Sequence, residues 1–288
     1  MKTVWKHTTA RFKIGFIIIV FLVLMAFVVT LFYTGPDITI FNSFKKNLPA
    51  MSSTVKDSKV SVHLLGTTSL GQDTFWMLLF ALRNSILIGI IVATFGTVIG
   101  VLFGLLSGFL GGAADRVMMT VADTFIVIPA LPILIFMSAL IGGTMSIVPL
   151  AMILVIFAWA HPSRHVRAIC LSMRERDFIQ TARFSGENVL HIVLREILPY
   201  LYTWALSNFM NAVLVAIGME SSLAVLGLSS AKLPTLGNMI QWARARNAIL
   251  GGLWLWVGSP IVTVMVLFIS LFMLISGYNA FIAKKRGV

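Results

Sequence analysis

The chain has 288 residues, 58% hydrophobic and 11% charged, with a mean hydropathy of +0.96. Soluble domains carry about 25% charged residues, so this composition excludes a water-soluble globule and makes the bilayer the solvent. The net charge of +12 is read as cytoplasmic loops rich in Lys and Arg rather than as nucleic-acid binding, and the single cysteine, Cys170, excludes an internal disulfide or a multi-cysteine metal site.

A membrane span needs about 20 mostly apolar residues. Six segments qualify: Ile14–Phe32, Ser85–Leu110, Val117–Ile141, Ile147–His161, Leu201–Met219 and Leu253–Tyr278. The expected fold class is therefore all-α, a polytopic membrane protein with six transmembrane helices. The first span follows Lys2, Lys6, Arg11 and Lys13. Its apolar run is long for a signal peptide and Val29-Thr30-Leu31-Phe32-Tyr33 offers no small-x-small cleavage site, so an uncleaved anchor is expected. An outer loop, residues 34–73, follows it.

The second span carries Gly96, Gly100, Gly104 and Gly108 on one helical face, where a neighbouring helix backbone can come close. Pro129 and Pro132 fall inside the third span and Pro260 inside the sixth. Proline kinks a helix, which suits either a path that opens and closes or plain packing. The fourth span is short and is expected to continue as helix beyond His161. An even number of spans puts both termini on one side. An N-in/C-in arrangement places fourteen of the 22 Lys and Arg residues in the cytoplasm, in keeping with the positive-inside rule.

No G-x-x-x-x-G-K-[ST], H-E-x-x-H or G-x-S-x-G motif occurs, so neither an ATP site nor those catalytic centres are encoded, and no cofactor is expected. His161 and His165 share a helix face, as zinc ligands do, but Arg164 lies between them and no carboxylate is near; a place at the membrane boundary is preferred. Asp123 is either an intramembrane functional group or an ion-pair partner, with Arg116 and Asp115 about two turns away. Asn208 and Asn211 either line a polar path or bond between helices. The best nucleophile–base pair on offer is His161 with Ser163 or Cys170.

The segment between the fourth and fifth spans, about residues 164–199, mixes six arginines with Glu175, Asp177, Glu187 and Glu196. Such mixing with apolar residues argues for folded helix. A helix through Phe178–Ser185 is expected to end at Gly186. Asn188 is placed to cap a second helix, Val189–Leu198, whose Val189, Ile192, Val193 and Ile197 form an apolar stripe and which Pro199 stops. The stripe either rests on lipid or docks a partner.

Gln180-Thr181-Ala182-Arg183-Phe184-Ser185-Gly186, with Ile197-Leu198-Pro199 at the family's spacing, resembles the E-A-A…G…L-P loop of bacterial ATP-binding-cassette import permeases, with Gln180 and Thr181 replacing its Glu and first Ala. Leu65-Gly66-Thr67-Thr68-Ser69-Leu70-Gly71-Gln72-Asp73 is similar to the L-G-T-D-x-x-G-R-D element of the dipeptide, oligopeptide and nickel group, with Thr68 and Gln72 as departures. Glu220-Ser221-Ser222-Leu223-Ala224-Val225-Leu226-Gly227-Leu228, then Pro234 and Gly237-Asn238-Met239, resembles a third element of that group, with Leu236 at its Trp position.

The resemblance implies a type I importer transmembrane domain, specifically the C-type subunit with a short anchor and a sizeable outer loop. Its organisation would be an anchor and outer loop over 1–83, a permease core over 84–282 and a basic tail over 283–288. It implies a second homologous permease subunit, two ATP-binding subunits and an extracytoplasmic solute-binding protein, in the lipid bilayer of a bacterial or archaeal inner membrane, with no nucleic acid. Gln180, Thr181, Ala182, Arg183, Gly186, Glu187, Leu198 and Pro199 would couple the chain to the ATPase, with the apolar stripe supplying most of the docking energy. Glu220 is either a gate contact or an ion-pair partner of Lys232 or Arg244, and Asn208 and Asn211 are candidates for the path. The cargo would be a small oligomeric solute, an oligopeptide, dipeptide or oligosaccharide. The rival reading is a stand-alone ion-coupled transporter or channel, and the catalytic role is expected to lie in another chain.

Overall fold

Thr9 opens the first helix, its hydroxyl accepting from the Phe12 amide. The computed structural model describes residues 9–38, 40–56, 59–141, 146–188, 191–229 and 233–286. Helix α1 (Ala10–Phe27) tightens into a 3-10 turn at Val29–Phe32. Its Leu22 and Ala26 are buried in one cluster with Trp256, Leu267 and Leu271 of the last helix.

The following segment adds a small hairpin to an otherwise helical chain. Strands β1 (Ser52–Lys56) and β2 (Lys59–His63) form an antiparallel hairpin with Ser52 opposite His63. Strand β2 alternates polar residues with Val60 and Val62, a period-2 pattern, inside a segment that hydropathy alone reads as polar loop. The hairpin is tied to α2 (Thr74–Leu110) through Asp73. One oxygen of Asp73 accepts from the amides of Phe75 and Trp76 at 2.9 and 3.1 Å, and the other lies 2.7 Å from Nδ1 of the fully buried His63, whose Nε2 lies 2.8 Å from Thr54 Oγ1. This cap starts α2 at Thr74 rather than Ser85, and the division expected after residue 83 falls inside a continuous helix. Beside the hairpin, burial and the Asp73 and Asp37 carboxylates push the Tyr33 hydroxyl up to about 12.

Helices α3 (Gly112–Val127) and α4 (Ala130–Ile141) meet at 81°. Ile128 between them is extended (φ −65°, ψ 123°), the conformation required of a residue preceding proline. Helices α5 (Ile147–Ala158) and α6 (Ala160–Arg174) meet at 43°. Pro162 in the first turn of α6 cannot donate back to the Ala158 carbonyl. The polar continuation expected beyond His161 is helix α6. Next come α7 (Asp177–Phe184), a π-helical turn (Ile192–Ile197), α8 (Leu198–Val225), α9 (Leu236–Ala245) and α10 (Trp254–Arg286), whose interior carries Pro260 without a break.

Four stretches are each long and apolar enough to cross a bilayer, namely Ala10–Phe32, Thr74–Leu110, Arg195–Val225 and Trp254–Lys284, and each bent pair has the length of one more span. The glycine face of α2 lies against α5 and α6. Gly96 meets Ala158, Gly100 meets Pro162, Gly104 meets Ser163 and Gly108 meets Cys170. A Cβ at Gly104 would stand 2.4 Å from the Ser163 carbonyl oxygen, so backbone contact there requires glycine.

Candidate coupling loop and translocation cleft

Helix α7 ends as its sequence dictates. Gly186 takes φ 78°, and the Glu187 amide donates to the Ala182 carbonyl at 3.2 Å, a glycine-terminated helix stop. Thr181 and Ser185 fold back onto the carbonyls of Asp177 and Thr181, both at 2.9 Å. Gln180, at the family's Glu position, donates to its own loop, to the Glu175 carbonyl at 3.4 Å.

The loop has two faces. Ile179, Ile192, Val193 and Ile197 are buried with Leu105 and Phe109 of α2 and Val166, Cys170 and Met173 of α6. The apolar stripe is thus consumed inside the chain. This corrects the expectation that it supplies docking energy to a partner: an amphipathic pattern reveals an apolar face, not what covers it. Val189 and the side chain of Arg183 lie outside the described residues. The other face is open. Gln180, Thr181, Gly186, Glu187, Leu198 and Pro199 are exposed, Ala182 is half-buried, and Phe184 is 89% exposed.

The second loop helix also departs from expectation. Ile192 N–H donates to the Asn188 carbonyl at 3.1 Å, and the π turn runs through Pro199 into α8 without a stop. Leu198 N–H pairs with Val193, five residues back. Pro199 therefore sits in the first turn of an α-helix, where its missing donor costs little.

Two ion pairs tie the two bent helix pairs together. Arg167 of α6 donates through Nε and Nη2 to the two carboxylate oxygens of Asp115 on α3, both at 2.6 Å, and Ser107 of α2 donates to the same carboxylate. Asp123 pairs with Arg164 at 3.1 Å. Arg116, the cation nearest in sequence, is not its partner: the contact crosses between helices.

A cleft of about 320 Å³ opens between α5–α6 and α8. His161, His165, Asn208 and Asn211 contribute its polar groups among aliphatic walls that include Val92, Leu154 and Val215. Asn208 bonds between helices, Nδ2 to Thr97 Oγ1 at 3.0 Å, while its neighbour Asn211 is exposed to the cleft. The histidines thus line a cavity, and among the described residues no three His, Cys, Asp or Glu side chains come together as metal ligands do. Ser163 and Cys170, the nucleophiles considered with His161, are both buried; the Ser163 hydroxyl donates to the Ala160 carbonyl at 2.7 Å, and Cys170 faces Gly108.

Glu220 is fully buried toward the far end of α8. Its Oε1 accepts from Thr235 Oγ1 at 2.7 Å and Ser229 Oγ at 3.2 Å, and Oε2 is buried with no hydrogen-bond partner among the described residues. Arg244 donates instead to the Val225 carbonyl at 2.9 Å, and Lys232 lies outside the described residues. Glu220 thereby fastens α8 to the segment leading into α9, which also hangs on α2 through Asn84 to the Pro234 carbonyl and the Leu236 amide to Ser85.

Residues 100–286, which hold the bent helices, the loop, the cleft and Glu220, match the family described as binding-protein-dependent transport system inner membrane component. The chain belongs to this family. Among relatives, the oligopeptide transport system permease protein OppC of Lactococcus lactis subsp. cremoris is 30% identical over 73% of this chain and 71% of its own length. OppC of Mycobacterium tuberculosis is 32% identical over 57% of each chain. The glutathione transport system permease protein GsiD of Pectobacterium atrosepticum is 33% identical over 66% of this chain and 62% of its own length. As a member of this family, with four helices each long and apolar enough to cross a bilayer, the chain is a multi-pass membrane protein.

Proposed function

We propose that this chain is one of two permease subunits of an ATP-binding-cassette importer for short peptides. Six spans, both termini cytoplasmic, would place α7 at the inner face and the hairpin outside, in the inner membrane of a bacterium or archaeon. Relatives named for oligopeptide and glutathione transport support peptides over oligosaccharides. A second permease subunit completes the path, two ATP-binding subunits supply hydrolysis, and a solute-binding protein delivers cargo from outside.

The observation that carries this reading is the two-faced loop. Its buried face welds α7 to the inner ends of α2 and α6, while Phe184 projects at its tip. A short helix fixed on one side and open on the other can turn ATPase closure into a rigid-body movement of the spans. Gln180, Thr181, Ala182, Arg183, Gly186, Glu187, Leu198 and Pro199 form the coupling surface, and Phe184 is its apolar anchor. Co-expression with candidate ATP-binding subunits and reconstitution in vesicles test it. The complete complex should accumulate peptide with ATP, and Phe184→Asp should abolish accumulation without lowering the thermal midpoint of the isolated subunit. Uphill uptake by this chain alone, driven by an ion gradient, would overturn it.

A further inference from the structure

We propose that the cleft between α5–α6 and α8 reads the amide backbone of an extended peptide, with His161 and His165 bonding along one edge of the cargo and Asn208 and Asn211 bonding from the opposite wall. This deepens the peptide-importer reading and rests on it.

The cleft wall contains no Lys, Arg, Asp or Glu. Its polar groups are two imidazoles and two carboxamides, side chains built to exchange hydrogen bonds. A carboxamide is the chemical complement of a peptide unit, which offers one N–H and one C=O. Asn208 donates one N–H of its carboxamide to Thr97, and Asn211 opens to the cavity. A site that selected cargo by side-chain charge would present carboxylates, ammonium or guanidinium groups, and this lining has none of them.

Spacing supports the same conclusion. His161 and His165 are one helical turn apart, a rise of about 6 Å. An extended peptide repeats its backbone groups along one edge every second residue, about 6.6 Å. The two rings therefore match consecutive groups on a single peptide edge. The aliphatic walls tolerate varied side chains, and the volume of about 320 Å³ is within the range of small-molecule sites, roughly 300–1,000 Å³. Sugars offer hydroxyls without that period.

The test uses the complete complex in vesicles, with tetra-alanine, its analogue in which the central amide is an ester, and maltotetraose. In Asn211→Cys, maleimide labels the introduced thiol, while the buried Cys170 stays silent. Tetra-alanine should slow labelling about tenfold, the ester about threefold less effectively because one N–H donor is gone, and maltotetraose not at all. In parallel, Asn211→Leu should cut tetra-alanine uptake about tenfold and Asn211→Gln should preserve it, both eluting like wild type. Equal protection by ester and amide, or by maltotetraose, would overturn the backbone reading and leave the path in place. Absence of protection while wild type accumulates tetra-alanine would overturn the cleft as the route. A wild-type complex that accumulates maltotetraose and not tetra-alanine would overturn the peptide importer itself.

Discussion

Arg167 grips Asp115, 52 residues away along the chain, with two arms of its guanidinium, each hydrogen bond 2.6 Å long. The pair joins α6 to α3, and Ser107 ties it to α2. A planar fork matched to a carboxylate is a geometry that lysine cannot copy. Arg167→Lys should therefore lower stability although it keeps the charge, by about 1.5–3 kcal/mol if one charged hydrogen bond is lost. Thermal unfolding in detergent measures it, and a Lys variant as stable as wild type would show that charge alone suffices.

The contact at Gly104 leaves no room for a methyl group. Gly104→Ala should destabilise by about 1–3 kcal/mol, as overpacking does, whereas Gly258→Ala in α10, where an added Cβ meets nothing within 4 Å, should be near neutral. Comparison of the two midpoints checks whether close backbone approach, rather than glycine content, sets the packing of α2.

Gly186→Pro cannot adopt the φ of 78° that ends α7. The expected outcome is a complex that still hydrolyses ATP while peptide accumulation falls at least tenfold. Full transport by this variant would remove the loop from the coupling path. Gly186→Asn, which tolerates left-handed backbone, should retain most of the activity.

Asp73→Ala removes the helix cap and the partner of His63 together. A cost of about 1–2 kcal/mol is expected for the cap, and amide exchange should accelerate in both hairpin strands and in the first turn of α2. Faster exchange confined to α2 would show that the hairpin stands without His63.

The sequence disclosed what repeats locally. Glycines four apart announced a close helix contact, apolar runs announced spans, and Gly186 announced the end of α7. Pairings distant along the chain carried no local signature: Asp115 with Arg167, Asp123 with Arg164, and Glu220 with Thr235 are set by how helices cross. The stripe of Ile192, Val193 and Ile197 showed that a partner surface exists, yet its owner was the chain itself. Of the hairpin only β2, Lys-Val-Ser-Val-His, carries a period-2 alternation, and β1, Ser-Ser-Thr-Val-Lys, has none. Pro162 stood inside His161-Pro162-Ser163-Arg164-His165, where the histidine spacing drew attention away from the bend it makes.

Helix α2 is a single shaft about 55 Å long, held at one end by Asp73 and seated at the other against Cys170. Whatever tilts the hairpin must tilt the far tip too, since no joint lies between them. A swing of about 5° carries that tip about 5 Å, roughly one turn of helix. The chain thereby contains a lever with no moving parts, and a push at one end arrives at the other as displacement.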